Sequence, residues 1–122
     1  MTEDTSEVGK VMRAEMFEVV DEKGKVRARL SLLADGGPDL MFFDEKGQGR
    51  AMLGLLADGR PSLGLCDEKG TPRATLSVLD RSPYLSLLDE KGEERAGLTL
   101  LADGRPCLAL RNDKGKVIWR AP

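Results

Sequence analysis

The chain has 122 residues, with 19 Lys or Arg against 21 Asp or Glu, a net charge of −2 and no histidine. That size fits one domain, and the missing imidazole removes Ser-His-Asp and Cys-His catalysis, histidine-ligated metals and imidazole pH switches. Apolar residues at 40% and charged residues at 33%, in short interleaved stretches, exclude a fully disordered chain and a membrane-spanning helix, and predict no strong pull toward nucleic acid.

Residues 1–12 are acidic and polar and are read as a flexible tail. A single β-hairpin-repeat domain over residues 13–122 follows. The opening residues lack the basic region and apolar stretch of a signal peptide, so a cytoplasmic location is expected. From there the chain repeats. Asp-Glu-Lys-Gly begins at Asp21, Asp44, Asp67 and Asp89, and Asn112-Asp113-Lys114-Gly115 is a variant. The steps are 23, 23, 22 and 23 residues, and a fixed period of this size marks a repeat architecture. Between these motifs stand Ala34-Asp35-Gly36, Ala57-Asp58-Gly59 and Ala102-Asp103-Gly104, with Asp80-Arg81-Ser82-Pro83 as a degenerate copy.

Both motifs are turn chemistry: aspartate closes a local turn, and glycine takes a left-handed conformation. Between turns, apolar residues alternate with period two, as in Ala28-Leu30-Leu32 and Leu63-Leu65. That pattern predicts strands with one buried face, over residues 16–21, 26–33, 39–44, 50–56, 62–67, 73–79, 84–89, 95–101, 107–112 and 116–120. The predicted fold is all-β, an antiparallel meander of ten strands in tandem hairpins. A solenoid with two strands per coil is the alternative.

Register can be read as well. Across the Asp-Glu-Lys-Gly turns the facing residues are nine apart, as in Val19/Ala28 and Leu65/Ala74. Across the Asp-Gly turns they are expected eight apart, as in Leu32/Leu40 and Leu55/Leu63. The 22-residue step shortens one turn to a two-residue loop, expected at Arg81-Ser82, and leaves the faces intact. This register sets Arg27, Arg50, Arg73 and Arg95 opposite Glu45, Glu68, Glu90 and Asp113, as exposed pairs that penalise slipped registers.

One face collects the leucines and phenylalanines, ending at Trp119, which is expected to plug the end of the core. Such a stripe is not left to water. The sheet is therefore expected to curl into a barrel or sandwich, or to lie face to face with another copy. The other face is small and polar at its centre, with Leu33, Met41, Phe43, Met52, Leu56, Leu79, Leu88 and Leu101 around it. Those eight are the candidate interface residues, for self-association or a partner strand or sheet.

Catalytic and metal chemistry finds little support. The turn acids carry too few oxygens for a calcium loop, and solvated carboxylates have nothing to raise their pKa. The arginine row lacks interleaved aromatics for nucleic acid. Cys66 and Cys107 fall on strands four positions apart, too distant for a disulfide, and are read as small fillers. No cofactor, metal or membrane insertion is expected, and no enzyme.

The run from Val19 through Asp21-Glu22-Lys23-Gly24 to Arg27-Ala28, the segment from Leu30 to Pro38, and the ending Gly115-Lys116-Val117-Ile118-Trp119-Arg120-Ala121-Pro122 carry a resemblance. They resemble a group of uncharacterised bacterial β-hairpin-repeat proteins, over residues 14 to 122. The hairpin strips of YD-type and MORN-type repeats are similar in geometry only, since their tyrosine and aromatic-glycine signatures are absent. The resemblance implies a repeat fold and assigns no functional residue. The function expected is a non-catalytic structural or protein-interaction module that self-associates through sheet faces or edges. The alternative is a barrel-type carrier of a small apolar ligand in a leucine-lined interior.

Overall fold

The computed structural model describes residues 9–122, so residues 1–8 of the expected tail lie outside the described residues. Ten strands follow: β1 (Met16–Val20), β2 (Val26–Leu32), β3 (Pro38–Phe43), β4 (Gly49–Leu55), β5 (Pro61–Cys66), β6 (Pro72–Leu79), β7 (Ser82–Leu88), β8 (Glu94–Leu100), β9 (Pro106–Arg111) and β10 (Val117–Ala121). They form one antiparallel sheet in chain order, from β1 to β10, and the described residues contain no helix. The meander read from the repeat is the fold.

Two features of each loop make the hairpins. In the first, Asp21 N–H donates to Lys25 O at 2.9 Å, and Gly24 N–H donates back to Asp21 O at 2.9 Å. Gly24 sits at φ 80°, a conformation that costs an L-residue about 1–2 kcal/mol. The Asp21 carboxylate fixes the rest, its Oδ1 accepting the amides of Lys23 at 2.9 Å and Lys25 at 3.0 Å. Asp44, Asp67, Asp89 and Asn112 repeat these two bonds in their own loops. The Asp-Gly loops close the same way, Leu33 N–H donating to Gly37 O at 2.7 Å and Gly36 N–H to Leu33 O at 2.8 Å.

The hairpins differ in one respect. Every Asp-Glu-Lys-Gly hairpin carries a β-bulge just beyond its loop, where Val19 faces Ala28 but Val20 faces Val26. The bulge adds one residue, and the expected nine-residue pairs all hold: Val19/Ala28, Phe42/Ala51, Leu65/Ala74, Leu87/Ala96 and Leu110/Trp119. The Asp-Gly hairpins have no bulge, and their expected register is corrected. Leu40 faces Leu30, and Leu32 faces Pro38; Leu63 faces Leu53, and Leu55 faces Pro61. Strands expected to begin at residues 39, 62 and 107 leave these prolines in the loops. The prolines are first residues of strands, a position where the missing N–H is tolerated. Because the displacement is two residues, no side chain changes face. The short loop is Asp80-Arg81 rather than Arg81-Ser82, with Leu79 facing Ser82 and Asp80 at φ 55°.

The bulge also corrects the arginine pairs. Arg27, Arg50, Arg73 and Arg95 are the unpaired bulge residues. Each guanidinium reaches across the Asp-Gly hairpin to a backbone carbonyl, not to an acid. The Nε atoms donate to Phe43 O at 3.0 Å, Cys66 O at 3.0 Å, Leu88 O at 2.8 Å and Arg111 O at 2.8 Å. The acids they meet are the turn aspartates of their own hairpins, Asp21, Asp44, Asp67 and Asp89, at 3.5 to 3.7 Å.

The sheet does not close into a barrel: among the described residues β1 pairs only with β2, and β10 only with β9. The leucine-lined interior that a carrier would need is therefore not formed. Trp119 plugs nothing; it lies half exposed on the leucine face.

Candidate interaction surface

Three rows of side chains cross the leucine face. The first alternates large and small: Val19, Ala28, Phe42, Ala51, Leu65, Ala74, Leu87, Ala96, Leu110 and Trp119. The second is leucine from Leu30 to Leu108, with Phe17 at one end and Ala121 at the other. The third alternates Leu32, Leu55, Val78 and Leu100 with prolines. No charged residue stands in any of them. Apart from Leu40 and Leu108, which are half-buried, their leucines remain exposed, from Leu63 at 36% to Leu32 at 64%. A shallow apolar groove of about 360 Å³ runs between Leu30, Leu40, Leu53 and Leu55.

Among the described residues nothing covers this face. Cys107, on the opposite face, is the one buried apolar residue among the described residues, at 6% exposure. The accessible surface is 9359 Å². A compact monomer of 13.3 kDa would expose about 6,500 Å².

The opposite face is built differently. One row runs Ser31, Asp39, Gly54, Ser62, Ser77, Tyr84, Thr99, Cys107. Ser77 and Ser86 are buried there, because short side chains sink between longer neighbours. Asp39 is 3% exposed, and its Oδ2 has no hydrogen-bond partner. Ser62 and Cys107 hold the matching place in later repeats, so the carboxylate breaks the pattern. Among the described residues no cluster of three or more Cys, Asp or Glu is arranged to hold a metal.

The eight candidate interface residues fall on three lines of this face. Leu33, Leu56 and Leu101 open the Asp-Gly loops, and Leu79 ends β6 beside the shortened one; together they line one margin. Met41 and Met52 face each other at the centre. Phe43 and Leu88 stand at the bulges of the other margin, and the Arg29 guanidinium lies 5.4 Å from the Phe43 ring centre. Met41, Met52 and Phe43 are brought close together, whereas the leucine margin is set apart by the polar row.

Charge is concentrated along the bulge margin. The carboxyls of Asp21, Asp44, Asp67 and Asp89 are held below the usual range chiefly by backbone N–H donors of their own turns, with the bulge arginines adding to it. Asp58 is lowered in the same way by the Arg60 amide. These groups are committed to turn geometry, and the net effect of their surroundings is to lower the carboxyl, away from a proton-transfer role. A hollow of about 520 Å³ beside Arg50, Arg73, Asp67 and Glu90 carries both signs of charge.

No family model matches the chain, and no curated protein matches its sequence.

Proposed function

We propose that this protein is a non-catalytic structural module that self-associates, with the leucine face of one copy laid on the same face of a second. The observation that supports this is a continuous, charge-free apolar face left exposed in the single chain. Ten strands at about 4.8 Å spacing, each contributing about 18 Å of length, make a face of about 800 Å². Two such faces together bury about 1,600 Å², the size of a standard specific interface. The largest apolar patch on an ordinary monomer is about 300–600 Å².

The first row shapes the contact. A large side chain beside each alanine gives ridges and hollows at two-strand spacing, so a second copy can set its ridges into the hollows, as sheets do when stacked about 10 Å apart. Using the same face on both copies gives a two-fold, closed pairing.

Molar mass in solution tests the reading. The expected mass is at least twice 13.3 kDa at micromolar concentration. A strict monomer at that concentration overturns it.

A further inference from the structure

The two outermost strands carry the surface that remains once the faces are assigned. β1 and β10 each present one unpaired backbone edge. Sheets ordinarily guard such edges with prolines, inward charges or very short strands. β1 and β10 are the two shortest strands, at 5 residues each, and carry Glu18 and Arg120 on the small-residue face; neither contains a proline, and neither puts a charge on the leucine face. Their apolar side chains are among the most exposed in the chain, Val19 and Ile118 both at 63%.

The two edges also fit one another. By the repeat, β1 is the counterpart of β3, because Val19 faces Ala28 as Phe42 faces Ala51. By the same reasoning β10 is the counterpart of β2, because Trp119 faces Leu110 as Ala28 faces Val19. A β10 edge set beside a β1 edge is therefore a β2–β3 junction repeated, in antiparallel sense. Its register follows from Ala28/Phe42, Arg29/Met41 and Leu30/Leu40. It pairs Trp119 with Val19, Arg120 with Glu18, and Ala121 with Phe17.

We propose that β10 of one copy pairs with β1 of the next in this register, so that copies join head to tail and the meander continues across the junction. The partner is a second copy of this chain, as in the self-association reading on which the proposal rests; the joining site and its register are added here. Charge complementarity supports the choice. Glu18 already bonds Arg29 of its own chain, Nε to Oε2 at 3.1 Å, and the junction brings Arg120 to its other side. The closure of Leu33 on Gly37 makes Arg29/Met41 a hydrogen-bonded pair by the alternation of antiparallel ladders. Arg120 and Glu18 take over that place and exchange two backbone hydrogen bonds.

The bulge position supports it too. At the inner hairpins the bulge arginine reaches the carbonyl of the next strand, Arg27 to Phe43. In β10 that position is Ile118, and the counterpart of Phe43 at the junction is Val20. Both are exposed in the single chain, and the junction sets them side by side as an apolar contact. Because the contact is heterologous, it does not close on itself, and the product is an open ribbon with both faces continuous.

Cysteine cross-linking tests the register. In a Cys66→Ser, Cys107→Ser background, Phe17→Cys and Ala121→Cys are made in separate chains. The two positions form a non-hydrogen-bonded pair at the junction, where Cα atoms lie about 4.5 Å apart, within reach of a disulfide. On oxidation with diamide, an equal mixture gives a disulfide dimer in at least tenfold excess over either chain alone. A chain carrying both substitutions gives a ladder of multimers. Val19→Cys with Trp119→Cys is the second pair, with the same expected result, and Arg120→Glu lowers the yield several-fold where Arg120→Lys does not. Dimers of Phe17→Cys alone would show β1 pairing with β1 and overturn the proposal. So would an internally linked monomer from the double variant, which is barrel closure. A mass above that of the monomer with no mixed cross-link overturns the edge junction and leaves face-to-face association standing; a monomer without cross-links overturns both.

Discussion

The two faces of this sheet are made by the same strands, turn for turn, yet only one is finished by the chain itself. On the small-residue face, serines and glycines sink among their neighbours, and ion pairs such as Arg29 with Glu18 and Arg111 with Glu94 cover the ends. On the leucine face the side chains are longer and stand free. A single layer buries short side chains by itself, because the pleat and the adjacent residues suffice. Long apolar side chains need a second layer. The difference teaches that residue size, as well as polarity, decides which face is complete in one chain.

The sharpest way to break the comparison is to put a charge on each face in turn. Leu76 and Leu101 are both exposed, one in the middle leucine row and the other on the margin of the small-residue face. Leu76→Glu is expected to weaken association by at least 100-fold, read as a shift to the monomer mass, while circular dichroism stays strand-like. Leu101→Glu is expected to leave association within about threefold. The reverse pattern would move the interface to the face of Leu33, Leu56, Leu79 and Leu101.

A smaller effect separates two glycines within the small-residue face. A Cβ at Gly54 would lie 2.7 Å from Asp39 Cβ and 2.8 Å from Pro38 O, whereas one at Gly64 would meet nothing within 4 Å. Gly54→Ala is expected to destabilise by about 1–3 kcal/mol through overpacking. Gly64→Ala is expected to stabilise by about 0.5 kcal/mol, by lowering the entropy of the unfolded chain. Denaturant midpoints at one fixed protein concentration check both signs, since association shifts apparent stability.

The smallest effect at neutral pH belongs to the turn aspartates. Asp21, Asp44, Asp67 and Asp89 have folded-state pKa values below their ordinary value, first because backbone amides donate to them. A lowered folded pKa gives stability that is fully present above the unfolded value of about 3.9 and is lost as pH falls through the folded one. Melting temperature is therefore expected to be flat from pH 7 to 5 and to fall below about pH 4. Asn112 makes the same two backbone bonds without a charge, so replacing the four aspartates by asparagine should flatten that acid limb.

Much of this was legible in the residues. The alternation of Leu63 and Leu65 assigned their face, and Asp21-Glu22-Lys23-Gly24 located a loop whose glycine does sit at positive φ. The nine-residue register was read correctly although the bulge behind it was not foreseen. The eight-residue register was wrong because Pro38, Pro61 and Pro106 look like loop residues, yet each begins a strand. The arginine partners were missed for a related reason. A bulge residue leaves the ladder, so cross-strand counting cannot say what its side chain meets. Of the candidate site, the leucine rows were visible as a pattern that a curled sheet or a second copy had to cover, but which of the two was not, and the interface candidates were placed on the other face. Asp39 gave no signal beyond being an acid where other repeats have serine, tyrosine or cysteine.

Turn chemistry and period-two alternation act over a few residues, so the sequence alone determined the strands, their order, the antiparallel sense and the two faces. Whether β1 meets β10 depends on twist and coiling summed over ten strands, which no single repeat encodes. Only the tertiary structure decided that the sheet stays open, with an uncovered leucine face and two free edges.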